Sequence, residues 1–156
     1  MGIMYTINLT PTAFTVATDL FELTPADDRP LLIHAFRVWQ TSDFGDAQEE
    51  ILTLSWVRGN TTSGSGGNAA ANAIGKSSRA PTSGFTFESA NTTAASAGTA
   101  VIPYSTGWNV RGPLEVVFTP EQRILVQQGD ALLVLRLGSA PADSLTIGAS
   151  ADVEEF

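Results

Sequence analysis

The stretch whose residue types come nearest to a catalytic or ligand-binding motif is Ala70-Ala71-Asn72-Ala73-Ile74-Gly75-Lys76-Ser77. It has the spacing of a relaxed phosphate loop. Such a loop needs a buried strand before it and a helix start after it, so that backbone amides converge on the phosphates. Here Gly66-Gly67-Asn68-Ala69 stands where the strand should be, and Pro81 blocks a helix shortly after. No apolar strand ending in Asp follows to hold magnesium. The expectation is a loop that binds no nucleotide. Asp43-Phe44-Gly45 has the letters of the kinase magnesium motif without its partner motifs, and reads as a turn. Gly64-Ser65-Gly66-Gly67 lacks the strand–helix frame of a dinucleotide site and reads as flexible loop.

His34 is the single histidine, and there is no cysteine. A catalytic triad or a zinc site built on histidine and cysteine has too few members, so a structural histidine is expected. Asp43, Asp46, Glu49 and Glu50 could offer oxygens to calcium. Their spacing fits no EF-hand, and an acidic hairpin loop is the preferred reading. Trp39, Trp56 and Trp108 could line a sugar-binding face. Trp39 and Trp56 sit in strand-like runs and suit a core or subunit contact better. Trp108 falls in Ser105-Thr106-Gly107-Trp108-Asn109-Val110-Arg111-Gly112-Pro113, which reads as a loop. Trp and Arg favour interface centres, so Trp108 and Arg111 are candidates for contact with a neighbour. Asn60, Ile74 and Tyr5 join them, from the long loop and the first strand. No catalytic residue, cofactor site or metal site is assigned, and the chain is expected not to be an enzyme.

The elements that must carry these residues show a period of two. Ile51-Leu52-Thr53-Leu54-Ser55-Trp56-Val57-Arg58 turns Leu52, Leu54 and Trp56 one way and Thr53 and Ser55 the other. Further strands are expected at 4–9, 13–23, 31–41, 85–89, 99–103, 114–118, 131–137 and 145–153. The 131–137 run is almost wholly apolar, as in a strand covered on both faces. Turn residues separate the runs, as in Thr24-Pro25-Ala26-Asp27-Asp28 and Gln128-Gly129-Asp130. Thr119-Pro120-Glu121-Gln122 can open one helical turn, and Asp46 to Glu50 could make another. The expected fold is all-β: a jelly-roll-like two-sheet sandwich of about eight or nine antiparallel strands. One long Gly/Ser/Ala-rich loop, 59–84, is expected to leave one end of a single domain spanning 1–156.

Composition narrows the partners. The chain has 156 residues, enough for one domain with a core. Its net charge of -8 repels phosphate backbones, so nucleic acid is not expected. Lys76 is the only lysine, which leaves no polybasic patch for a membrane surface. No apolar run approaches the roughly 20 residues that span a bilayer. The start carries no basic, apolar leader, so no secretory signal is expected. Charged residues make up 15% of the chain, well under the usual share of about 25%. Protein-facing surfaces are depleted in lysine and acidic residues, so part of the exterior is expected to face protein.

Several segments together carry a resemblance: Ser42 to Leu52, Thr62-Ser63-Gly64-Ser65-Gly66-Gly67, Asn91-Thr92-Thr93, Trp108-Asn109, Thr119-Pro120-Glu121, Ala140 to Leu145 and Val153-Glu154-Glu155. In these the chain resembles small jelly-roll virion proteins of phages, of the capsid decoration or cement type. The resemblance implies a homo-oligomer, a trimer in that group, bound to the major capsid protein on the capsid surface. It implies no catalytic residue. A receptor- or carbohydrate-binding jelly roll of a phage tail or fibre is the alternative, with the same fold and a different site.

Overall fold

The computed structural model describes residues 2–42, 50–68 and 73–156. The strands, in order, are β1 (Ile3–Phe14), β2 (Thr18–Thr24), β3 (Leu31–Gln40), β4 (Ile51–Asn60), β5 (Ile74–Gly75), β6 (Thr86–Asn91), β7 (Val101–Asn109), β8 (Leu114–Val117), β9 (Ile124–Val126), β10 (Leu132–Leu137) and β11 (Leu145–Glu155). A 3-10 turn, Pro120–Gln122, follows Thr119 with proline in its first positions, as the sequence predicts.

The strands form two antiparallel sheets. One runs β5-β1-β11-β3-β8, with β9 also on β3, and the other runs β6-β2-β10-β4-β7. The pairs β1–β11, β2–β10, β3 with β8 and β9, and β4–β7 are nested, first strand with last. The chain is therefore one long hairpin wound into two layers, a jelly-roll order. Eleven strands among the described residues exceed the expected count because β5 and β9 are only two and three residues long. Segments that short show no periodicity to read. The run expected at 13–23 is split, since the chain crosses from one sheet to the other between Phe14 and Thr18. Pro11 lies where the β1–β11 register shifts, and a bulge is one of the few sheet positions that tolerate a missing N–H.

Alternation sets the core. Tyr5, Ile7, Ile33, Phe36, Val38, Leu52, Leu54, Trp56, Leu133, Leu135, Ile147 and Val153 all point between the sheets and are buried. Edge-to-face ring pairs lock the centre: Phe36 on Trp56 at 5.8 Å, Tyr104 on Phe118 at 5.0 Å, and Tyr5 on Phe85 at 5.6 Å. Beyond area burial, each such pair adds about 1 kcal/mol. A second small cluster, Val57, Ala95, Leu132 and Val134, lies apart from this core. Ala95 comes from the segment after β6, so that segment covers β10 on its far side. This explains the apolar run at 131–137.

The long small-residue stretch is not a free excursion. Its described part, 61–68, lies along 89–96 through bridges at Thr62–Ser96, Ser65–Thr93 and Asn68–Ser89. The chain leaves β4 and comes back at the glycine pair Gly59 and Gly98. Both have positive φ, and a Cβ on Gly98 would meet the Gly59 carbonyl at 2.2 Å. Only glycine fits such an approach.

Candidate interaction surfaces

The two sheets present different exteriors. On the outer face of the first sheet, Asp152 of β11 is the hub. It accepts hydrogen bonds from Thr6 Oγ1 at 3.0 Å and Arg37 Nη1 at 3.0 Å, and pairs with Lys76 Nζ at 2.8 Å. Arg37 also reaches Glu115 at 2.8 Å. Burial alone would raise the Asp152 carboxyl, but the bonds from Lys76, Arg37 and Thr6 outweigh it and hold it below its ordinary value. Its bond to Asp152 in turn raises the Arg37 guanidinium, against the lowering effect of burial. His34 lies on this face with Nε2 2.7 Å from Glu154 Oε2. Trp39 lies there too, half-buried, with its ring over Gly148, where a Cβ would meet Cε2 at 2.6 Å.

Outside the second sheet, buried carboxylates hold the covering segments. Asp19 accepts from Ala95 N at 2.6 Å and from Arg136 Nε at 2.7 Å, while Arg136 Nη2 donates to the Ala95 carbonyl at 2.9 Å. Glu22 accepts from Ser63 Oγ at 2.5 Å, Gly64 N at 2.8 Å and Asn91 Nδ2 at 3.1 Å. Near the end of the chain, Glu155 accepts from Gly84 N and Phe85 N at 3.0 and 2.9 Å, and meets Arg29 at 3.3 Å. All three carboxylates are buried. They give the covering backbone N–H groups the acceptors they lack for want of a regular strand. A groove of about 400 Å³ lies beside this layer, lined by Phe14, Val16, Gly67 and Asn91 among others.

The candidate contact residues do not come together. Trp108 does not sit in a loop: β7 continues to Asn109, and Trp108 is 1% exposed in the core. Its Nε1 donates to the Gly112 carbonyl at 2.7 Å and closes the β7–β8 turn. The glycine and proline around it mimic a loop because β7 is an edge strand, where such residues are tolerated. Tyr5 is likewise buried, with its hydroxyl on the Pro81 carbonyl at 3.2 Å. Burial first, and Glu155 second, push its phenol pKa up. Asn60 is buried with Nδ2 on the Ala97 carbonyl at 3.1 Å. These three side chains support the interior and present nothing to a neighbour. Ile74, 60% exposed on β5, and Arg111, exposed in the β7–β8 turn, remain on the surface.

The chemical motifs fare similarly. Ile74 and Gly75 pair with β1, and Lys76 is engaged by Asp152, so this half of the phosphate-loop pattern forms a sheet edge. Its other half, 70–72, lies outside the described residues, as do Asp43, Asp46 and Glu49 of the calcium candidates and most of the helical turn expected at Asp46–Glu50. Glu50 accepts a hydrogen bond from Ala142 N at 2.8 Å. Among the described residues no group of three or more His, Asp or Glu side chains is placed to hold a metal ion. The three tryptophans form no common face, since Trp56 and Trp108 are inside and Trp39 outside.

One surface went unread in the sequence. The lateral edge formed by β7 and β8 carries Val101, Ile102 and Val117, 45, 59 and 67% exposed, and Ile51 of β4, 71% exposed, lies beside it. Among the described residues neither strand has a partner beyond β4 and β3. The nine residues of β7, Val-Ile-Pro-Tyr-Ser-Thr-Gly-Trp-Asn, include no charge.

No family model matches the chain, and no curated protein does. Among solved structures it aligns with a chain of the T13 particle of infectious bursal disease virus, at 14% identity and a TM-score of 0.21. A chain from the structure of the Gx strain of that virus gives the same identity and score. The alignments cover 98% of this chain and 39% and 41% of those chains, so it spans about two fifths of their length. A superposition that low decides neither fold nor function.

Proposed function

We propose that the chain is a structural virion protein of the capsid decoration type, one that assembles with its own copies and binds the major capsid shell from outside. The observation that carries this reading is the unpartnered β7/β8 edge, where β-branched side chains stand in solvent on a chain of low charge. Monomeric proteins seldom leave a long, uncharged edge strand bare, because it is a template for pairing with another chain. The resemblance described above points the same way. The role is binding and not catalysis: His34, the sole histidine, is occupied by Glu154 on a sheet face.

The mechanism is mass action. A subunit that binds only the assembled shell stabilises it by RT ln(1 + [L]/Kd), about 2.7 kcal/mol at a hundredfold excess over Kd. Ile102 and Val117 are the shell contacts on this reading. Co-sedimentation with purified shells tests it: the wild-type chain pellets with shells, and the Ile102→Lys, Val117→Lys double variant stays in solution. A wild-type chain that fails to pellet ends the reading. The receptor- or sugar-binding alternative loses two of its three tryptophans to the core, and no observation favours it.

A further inference from the structure

We infer that the β7 edge is a two-fold contact: two copies of this chain pair β7 with β7, antiparallel, about an axis at Gly107. This deepens the self-assembly half of the proposed function and rests on it, with a two-fold pair in place of the trimer that the resemblance implies.

Hydrogen-bond parity identifies the free groups. Val110 N donates to the Glu50 carbonyl at 3.1 Å, and Ile51 stands opposite Asn109. In an antiparallel ladder, residues alternate between facing their partner and facing away. Hence Thr106 and Trp108 direct their main-chain groups at β4, while Ser105, Gly107 and Asn109 direct theirs outward. Beyond Tyr104 the β4–β7 register shifts, and Pro103 has no N–H to give, so pairing there is weakened. The usable edge is therefore Ser105 to Asn109, and its midpoint is Gly107. A pair centred on Gly107 sets Gly107 against Gly107 and Ser105 against Asn109, giving about six main-chain hydrogen bonds.

The side chains fit the same axis. Ile51, the most exposed large apolar residue of the described chain, lies over Gly107: its Cγ2 is 3.1 Å from where a Cβ would stand. Nothing else comes within 4 Å of that point. Opposed residues in a bonded antiparallel pair have Cα atoms about 5.5 Å apart. The two Ile51 side chains, each draped over its own glycine, then meet across the axis and shield each other from water. A different partner would have to supply both an uncharged strand and an apolar group at that point. A second copy does so by symmetry, and isologous contacts are self-complementary in this way. Charge favours the same contact: copies of net charge -8 repel over most of their surface, and β7 brings no charge to the axis.

The chain contains no cysteine, so single-cysteine variants report the axis directly. Light scattering on the full chain should give twice the 16.4 kDa of one chain. Ile51→Cys should form a covalent dimer under mild oxidation. Ile74→Cys, 60% exposed on the opposite edge, should cross-link at least tenfold more slowly. Ile51→Lys should give a folded monomer, since the residue is 71% exposed and its loss leaves the core intact. A wild-type monomer, a trimer whose mass Ile51→Lys leaves unchanged, or equal cross-linking at the two cysteines overturns the inference. Shell binding by such a trimer would leave the proposed function standing, and shell binding by a monomer would leave only its shell-binding half. A two-fold pair that fails to bind shells would do the reverse.

Discussion

On the β5/β6 side, the chain folds its own Gly- and Ser-rich segments past the edge of β6 and over the outer face of the second sheet, anchored by Asp19 and Glu22, while Glu155 of β11 holds Gly84 and Phe85. At the β7/β8 edge it leaves a strand of nine uncharged residues with no second neighbour among the described residues and sets Ile51, Ile102 and Val117 in solvent. The two edges solve the same problem, an unpaired row of N–H and C=O groups. One solution is internal and uses buried carboxylates as acceptors for irregular backbone. The other defers the problem to a second molecule. The lesson is that closure of a sheet edge costs specific polar side chains in the interior, whereas an open edge costs solubility.

The comparison breaks most severely at Asp19. Its side chain is wholly buried and accepts both from Ala95 N and from Arg136, whose guanidinium also holds the Ala95 carbonyl. Asp19→Ala leaves that guanidinium without its carboxylate and the Ala95 amide without an acceptor. Removing one partner of a buried pair costs about 3 kcal/mol or more. At about 2–4 °C per kcal/mol for a domain of this size, a melting temperature lower by roughly 10 °C is expected by calorimetry. Hydrogen exchange should rise first at 92–98, which rests on this anchor. A melting temperature unchanged within 2 °C or so would mean that the covering segments close the edge without carboxylate anchors.

A smaller effect separates the edges by pH. Asp152 ties β5, through Lys76, to β11 and β3. Its folded pKa is lowered, so its contribution is fully present above the unfolded carboxylate value of 3.8 and is lost as pH falls through the folded value. Urea midpoints should therefore hold down to about pH 4, the value of an unfolded carboxylate, and drop as the pH falls below it. Asp152→Asn should lower stability by about 1 kcal/mol at neutral pH, a modest figure because Lys76 and Arg37 are both well exposed to screening water. It should also flatten the acid limb of the curve. An acid limb identical to that of the wild type would remove Asp152 from the closed edge.

Much of this architecture was legible in the residues. The alternation at Leu52, Leu54 and Trp56 and the apolar run of β10 place two central strands correctly, because both are long enough for a period to show. Trp108 reads as loop because Gly107, Gly112 and Pro113 flank it, and only the sheet order reveals an edge strand that runs through Gly107 to Asn109. The anchors escaped notice because a carboxylate in an alternating strand reads as solvent-facing. A signal was nonetheless present: Glu22 stands in Leu-Phe-Glu-Leu, and Arg136 in Leu-Leu-Val-Leu-Arg-Leu. A charge inside a strand covered on both faces must be paired with something. What it pairs with depends on the course of residues 61–98, which local pattern does not encode.

The smallest expected effect is the sharpest test of the open edge. Ile102 lies where the β4–β7 register shifts, and its side chain is 59% exposed. Ile102→Lys should change stability by no more than about 0.5 kcal/mol, the usual range for a surface site. Its long aliphatic stem can still lie along Tyr104 while the ammonium stays in water. A urea midpoint within error of the wild type is the expected result. A loss of 2 kcal/mol or so would show that Ile102 belongs to the core. In that case its exposure serves no partner, and the β7/β8 edge would be closed by its own chain as the β5/β6 edge is.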